Sequence, residues 1–116
     1  MTVPELRATL AKLSPPTAED VKLRDLFLAR LDAWPGDSST VQRLNDDMDR
    51  LLGNVWFSTS SIHQQVFDAL EAFAGEVRRI SGMPMNERLV TFGLLEIWDA
   101  SSEATRALIR SKLGAA

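Results

Sequence analysis

The sequence predicts an all-α fold, a compact single-domain bundle of about six helices spanning residues 1–116. Three observations carry that prediction. Apolar residues recur at three- and four-residue spacing along the long stretches. No run alternates apolar and polar residues with the period of two that a half-buried strand needs. Each boundary pairs a capping residue with a helix breaker. With 45% apolar and 25% charged residues, the chain has enough apolar mass to bury one core without disulfides or a structural metal.

Thr2 and Glu5 enclose Pro4 as a capping box, and Leu6, Leu10 and Leu13 follow on one face, so a first helix is expected over residues 3–13. Pro15 and Pro16 stop it. Thr17, with Asp20 three residues on, starts a second helix, whose stripe is Leu23, Phe27, Leu31 and Trp34, widened by Val21, Leu26 and Leu28. Pro35 and Gly36 end that run. Asp37, Ser38 and Ser39 offer caps for a third helix carrying Val41, Leu44, Met48 and Leu51, closed by Gly53.

Residues 54–58 read as a connection, because Val55, Trp56 and Phe57 are bulky and favour extended backbone. The serine-threonine cluster at residues 58–61 then caps the longest periodic run: Ile62, Val66, Leu70, Phe73, Val77 and Ile80, ending at Gly82. Pro84 turns the chain and Asn86 is the expected cap of a fifth helix. Residues 89–98 are apolar on nearly every side, which predicts a single central helix forming the axis of the core. Residues 99–102 punctuate again, and Ala104, Leu108, Ile109 and Leu113 make a last amphipathic helix stopped by Gly114. Phe73, Leu70, Phe92, Leu95 and Trp98 are expected among the most buried residues.

Absences narrow the chemistry. With no cysteine, thiolate metal ligation, disulfides and a cysteine nucleophile are excluded. The glycines occur singly, so no nucleotide-binding loop is formed. Asp46, Asp47 and Asp49 suggest a calcium loop at first sight, but the glycine and the closing glutamate of that loop are missing, and neighbouring apolar spacing places these acids on a helix. No metal and no cofactor is expected. His63 is the only histidine. A catalytic role beside Ser60 or Ser61 would need an orienting acid, and a structural role is the reading its position favours. The first residues lack the basic and apolar pattern of a secretory leader, and no stretch approaches the ~18 apolar residues of a membrane span. The expectation is a soluble cytoplasmic protein without membrane association.

The net charge of −3 is unevenly placed. Residues 1–36 balance, residues 37–76 hold seven acids against Arg43 and Arg50, and residues 77–116 hold six bases against four acids. The third helix offers Asp46 and Asp49 on its polar face, and the fourth offers Asp68 and Glu71 beside Gln64. Two such faces side by side would attract a basic partner. Trp34 and Trp98 extend core stripes, whereas Trp56 with Phe57 falls in a non-periodic segment that plugs the core or, as the one aromatic pair suited to it, makes an external contact, burial being the commoner place for such residues.

Three functional readings follow. The first is a non-catalytic interaction module that holds a protein partner of basic surface through Asp46, Asp49, Asp68, Glu71, Trp56 and Phe57. Small acidic helical inhibitors of basic nuclease toxins, the immunity proteins and antitoxins, share this profile of size and charge, a likeness of profile without a shared motif. The second is a helix-turn-helix DNA binder using Arg106, Arg110 and Lys112 on the last helix, although the acidic balance disfavours nucleic acid. The third is a small helical enzyme with a carboxylate-based site, for which a pair such as Glu96 and Asp99 is no more than chance would supply.

Overall fold

A computed structural model describes residues 1–114 and contains seven α-helices and no strand among them. The helices are α1 (Val3–Ala11), α2 (Ala18–Ala33), α3 (Val41–Asn54), α4 (Ser60–Arg78), α5 (Met85–Thr91), α6 (Leu95–Asp99) and α7 (Glu103–Lys112), with single 3₁₀ turns at Trp34–Gly36 and Ile80–Gly82. Among the described residues no helix is long and apolar enough to cross a membrane.

The first four helices close a ring: α1 packs on α2, α2 on α3, α3 on α4, and α4 returns to α1. Each neighbouring pair is antiparallel, which follows from short connections and from the polar ties across the pairs. Arg7 near the middle of α1 grips Asp32 at the end of α2 at 2.6 Å and 3.0 Å. Arg30 late in α2 meets Asp47 in α3 at 3.0 Å. The N-terminal amine lies 3.4 Å from Glu76 near the end of α4. Inside the ring a single hydrophobic cluster draws on Leu6, Leu10, Phe27, Leu31, Val41, Leu44, Met48, Val66, Leu70 and Phe73. The shorter helices α5 to α7 extend this bundle, adding Leu89, Phe92, Leu94, Ile109 and Leu113 to the same cluster.

Local chemistry sets the boundaries. The capping box forms as expected: Thr2 Oγ1 accepts from the Glu5 amide and Glu5 Oε1 accepts from the Thr2 amide. Thr17 caps α2 by accepting from the Asp20 amide. Thr40, one residue beyond the expected Asp37, Ser38 and Ser39, caps α3 by accepting from the Arg43 amide. Pro84, not Asn86, occupies the N-cap of α5.

The largest departure from the sequence expectation is at residues 89–98, which do not form one helix. α5 ends in a Schellman closure: the Gly93 amide donates to Val90 O at 3.2 Å and the Leu94 amide to Leu89 O at 2.8 Å, with Gly93 at φ +73°. A side chain there would be strained in φ and would also meet Pro4 at 3.3 Å. The break re-aims the chain, so Leu95 is 37% exposed and Trp98 is half-buried, contrary to their expected place in the core. Phe73, Leu70 and Phe92 are buried as expected, with Phe73 and Phe92 meeting edge to face at 6.2 Å. The axis of the core is therefore α4, whose Ile62, Val66, Ala69, Leu70, Phe73, Ala74 and Val77 are all buried.

Truncation separates these positions. Phe73→Ala should cost about 3–5 kcal/mol in urea unfolding, whereas Trp98→Ala should cost less than half as much as Phe73→Ala. Equal losses would place Trp98 back in the core.

Candidate functional site

The outer face of the α3–α4 hairpin is built by one tether. Asp20, in the first turn of α2, is buried and points at the chain entering α4. Its Oδ1 accepts from the Ser58 amide at 2.9 Å, and its Oδ2 accepts from Ser58 Oγ at 2.8 Å and from the Thr59 amide at 3.3 Å. Burial opposes its charge, but these donors outweigh that effect and hold its pKa below the ordinary aspartate value. Sequence reasoning took Asp20 only as part of a helix start. A second carboxylate role across 38 residues leaves no mark in local spacing.

With Ser58 fixed, the two preceding aromatics part. Phe57 turns inward, 1% exposed, and stacks on Phe27 at 6.3 Å. It is a core residue, not an external contact, because the extended backbone of the connection sends successive side chains to opposite sides. Trp56 turns outward, 80% exposed, over the His63 ring at 4.8 Å. Among the described residues, His63 Nδ1 is buried without a hydrogen-bond partner, so no acid orients this ring. Phe67 lies one turn beyond His63 on α4 and is 44% exposed. Its signal was available in the sequence, since it falls outside the stripe of Ile62, Val66, Leu70 and Phe73.

One turn further on α4 comes Glu71, and here the acids gather. The Asp49 carboxyl is pushed above its ordinary value by partial burial, then by the carboxylates of Glu71 and Asp46, with Arg78 partly offsetting them. Asp46, Asp49 and Glu71 therefore share one surface across the two helices. Asp68 sits apart: it accepts from Gln64 at 2.8 Å and borders a groove with Met1, Thr9 and Gln65 on the α1 side. Asp47 is neutralised, with Arg30, Arg43 and Arg50 at 3.0, 3.1 and 3.6 Å. No ion pair among the described residues reaches Asp46, Asp49 or Glu71.

The C-terminal bases are differently disposed. Arg106 and Arg110 lay their guanidinium groups over the Trp98 ring at 5.1 and 5.5 Å. Arg106 also donates to Trp98 O, and Arg110 pairs with Glu103. Lys112, expected on the outer face of the last helix, is turned inward and 4% exposed. It sits at the C-terminus of α7, where Ile109 and Leu113 lead the chain back to the core. Among the described residues no group of three or more histidine, aspartate or glutamate side chains is arranged to hold a metal ion. Glu96 borders an open, mostly apolar depression of about 460 Å³ with Pro4, Val90, Gly93, Leu95 and Ile97.

Comparison with protein-family models, curated proteins and solved structures finds no match. The functional reading therefore rests on the geometry of this chain.

Asp20 and Asp49 respond oppositely to pH. The pKa of Asp20 is depressed in the fold, so its contribution to stability is present above the ordinary aspartate pKa and lost as pH falls through the depressed value. The pKa of Asp49 is raised, so its ionisation costs stability as pH rises through the raised value. Asp49→Asn should raise Tm at pH 7, by the equivalent of about 0.5 kcal/mol or less for an exposed site, and the gain should vanish below pH ~3. Asp20→Ala should lower Tm at pH 7. A fall in Tm for Asp49→Asn would show that the acids do not oppose one another.

Proposed function

We propose that the protein is a non-catalytic interaction module whose α3–α4 face holds a protein partner of basic surface. The observation that carries this reading is the gathering of Asp46, Asp49 and Glu71 without a neutralising ion pair among the described residues, continuous along α4 with exposed Phe67 and with Trp56 over His63. Like charges held together cost stability, and a cationic partner relieves that cost on binding. Exposed aromatics beside them supply the apolar contact and cation–π surface that make such a contact specific. Phe57 supports the face from beneath, and Asp68 lies at its edge as a source of longer-range attraction. A basic nuclease is one partner class with the required charge, which would make the protein an inhibitor of the immunity type; a cytoplasmic setting goes with that reading.

Less supports the alternatives. For DNA binding, Lys112 is turned inward, and Arg106 and Arg110 lie against Trp98. For a carboxylate enzyme, the acids stand on an exposed face rather than around an enclosed pocket.

The test is affinity capture from native extract at low and high salt, run in parallel with the wild-type chain and with Asp46→Lys, Asp49→Lys, Glu71→Lys combined. The wild type should retain a basic protein at low salt and release it at high salt, and the triple variant should lose it while keeping its Tm within a few degrees. Trp56→Ala alone should weaken retention by about tenfold or more. Equal capture by wild type and triple variant would refute the proposal, as would recovery of nucleic acid in place of protein.

A further inference from the structure

The turn that joins α2 to α3 carries an arrangement unrelated to the acidic face. Residues 34–39 fold back so that three main-chain carbonyls converge on one point, where the Lys112 ammonium sits. Its Nζ donates to Trp34 O at 2.7 Å, to Asp37 O at 2.5 Å and to Ser39 O at 2.9 Å, with Asp37 Oδ1 at 3.3 Å. The Trp34 ring lies 4.6 Å away and presents its electron-rich face. The turn is braced independently of the lysine: Trp34 Nε1 donates to Ser39 O, the Ser39 amide donates to Asp37 Oδ1, and Arg30 holds Asp37 Oδ2 at 3.0 Å.

We propose that residues 34–39 form a binding site for a primary ammonium group, occupied in cis by Lys112, so that α7 is a tethered ligand of the α2–α3 turn. The chemistry is specific. An ammonium has three donors on a compact charge and no acceptor, which matches three carbonyls beside one carboxylate and an aromatic face. A guanidinium is planar and too broad for the same point. A quaternary ammonium would keep the aromatic contact but donate to none of the three carbonyls. The site also has an approach: an open cleft of about 310 Å³, lined by Gly36, Asp37, Ser38, Leu108 and Ser111, ends at the lysine. Tethering gives Lys112 an effective concentration that free amines do not match, so the wild-type site is closed to them.

Lys112→Ala removes the last three methylenes and the nitrogen, and n-propylammonium replaces those atoms. Thermal melting of this variant should show a saturable rise in Tm with propylammonium chloride that restores most of the loss, no such rise with tetramethylammonium chloride at equal ionic strength, and no rise for the wild type. If the variant is unfolded in plain buffer, the readout becomes refolding by propylammonium and not by tetramethylammonium. On the wild-type chain, an amine-acylating reagent followed by peptide mass spectrometry should modify Lys112 at least about tenfold more slowly than Lys12 and Lys22, because labelling requires local opening. The proposal is overturned if both cations act alike, if wild type and variant respond alike, or if Lys112 is acylated as fast as the two exposed lysines.

Discussion

The carboxylate of Asp20 is taken out of solvent to accept two backbone amides and a hydroxyl at the entrance to α4. That grip fixes the register of the connection from α3. A main chain held at Ser58 in extended form has one side for Phe57 and the other for Trp56, and the packing of Phe57 on Phe27 decides which. Trp56 is then exposed by geometry, and the proposed docking face starts where it meets His63.

The ring of four antiparallel helices has a similar bearing on the acids. Because α3 and α4 are neighbours in the ring and run in opposite directions, the middle of one faces the middle of the other, and Asp49 comes within electrostatic reach of Glu71. The bundle could neutralise these charges, as it does for Asp47, which three arginines surround. Among the described residues it gives Asp46, Asp49 and Glu71 no ion pair, only the partial offset of Arg78 at Asp49, and like charges in that arrangement oppose folding. A surface retained against stability is the form that a binding face for the opposite charge would take.

Much of the fold is legible in the sequence because helix periodicity and caps are local. The apolar stripes of α1, α3 and α4 and the Thr2–Glu5 box follow from spacing alone. The adjacency of α3 and α4 is what made their acids worth pairing, and three of the four meet there. What spacing misses is set by the far side of the molecule. Residues 89–98 are apolar on nearly every side, yet Pro4 approaching Gly93 and the positive φ of that glycine divide them into two helices. Asp20 and Lys112 look like solvated helix charges, but their partners lie 38 and more than 70 residues away. Phe57 and Trp56 are indistinguishable in sequence and are separated only by which of them the core has room for.

The most direct test of the docking face is an amide NMR titration with a lysine- and leucine-rich cationic peptide, followed residue by residue. The account predicts saturable shift changes concentrated at Asp46, Asp49, Phe67, Glu71 and the Trp56 indole, with acids elsewhere such as Glu19, Asp25 and Glu96 little moved. Changes spread evenly over all exposed acids, or gathered on α7, would contradict it.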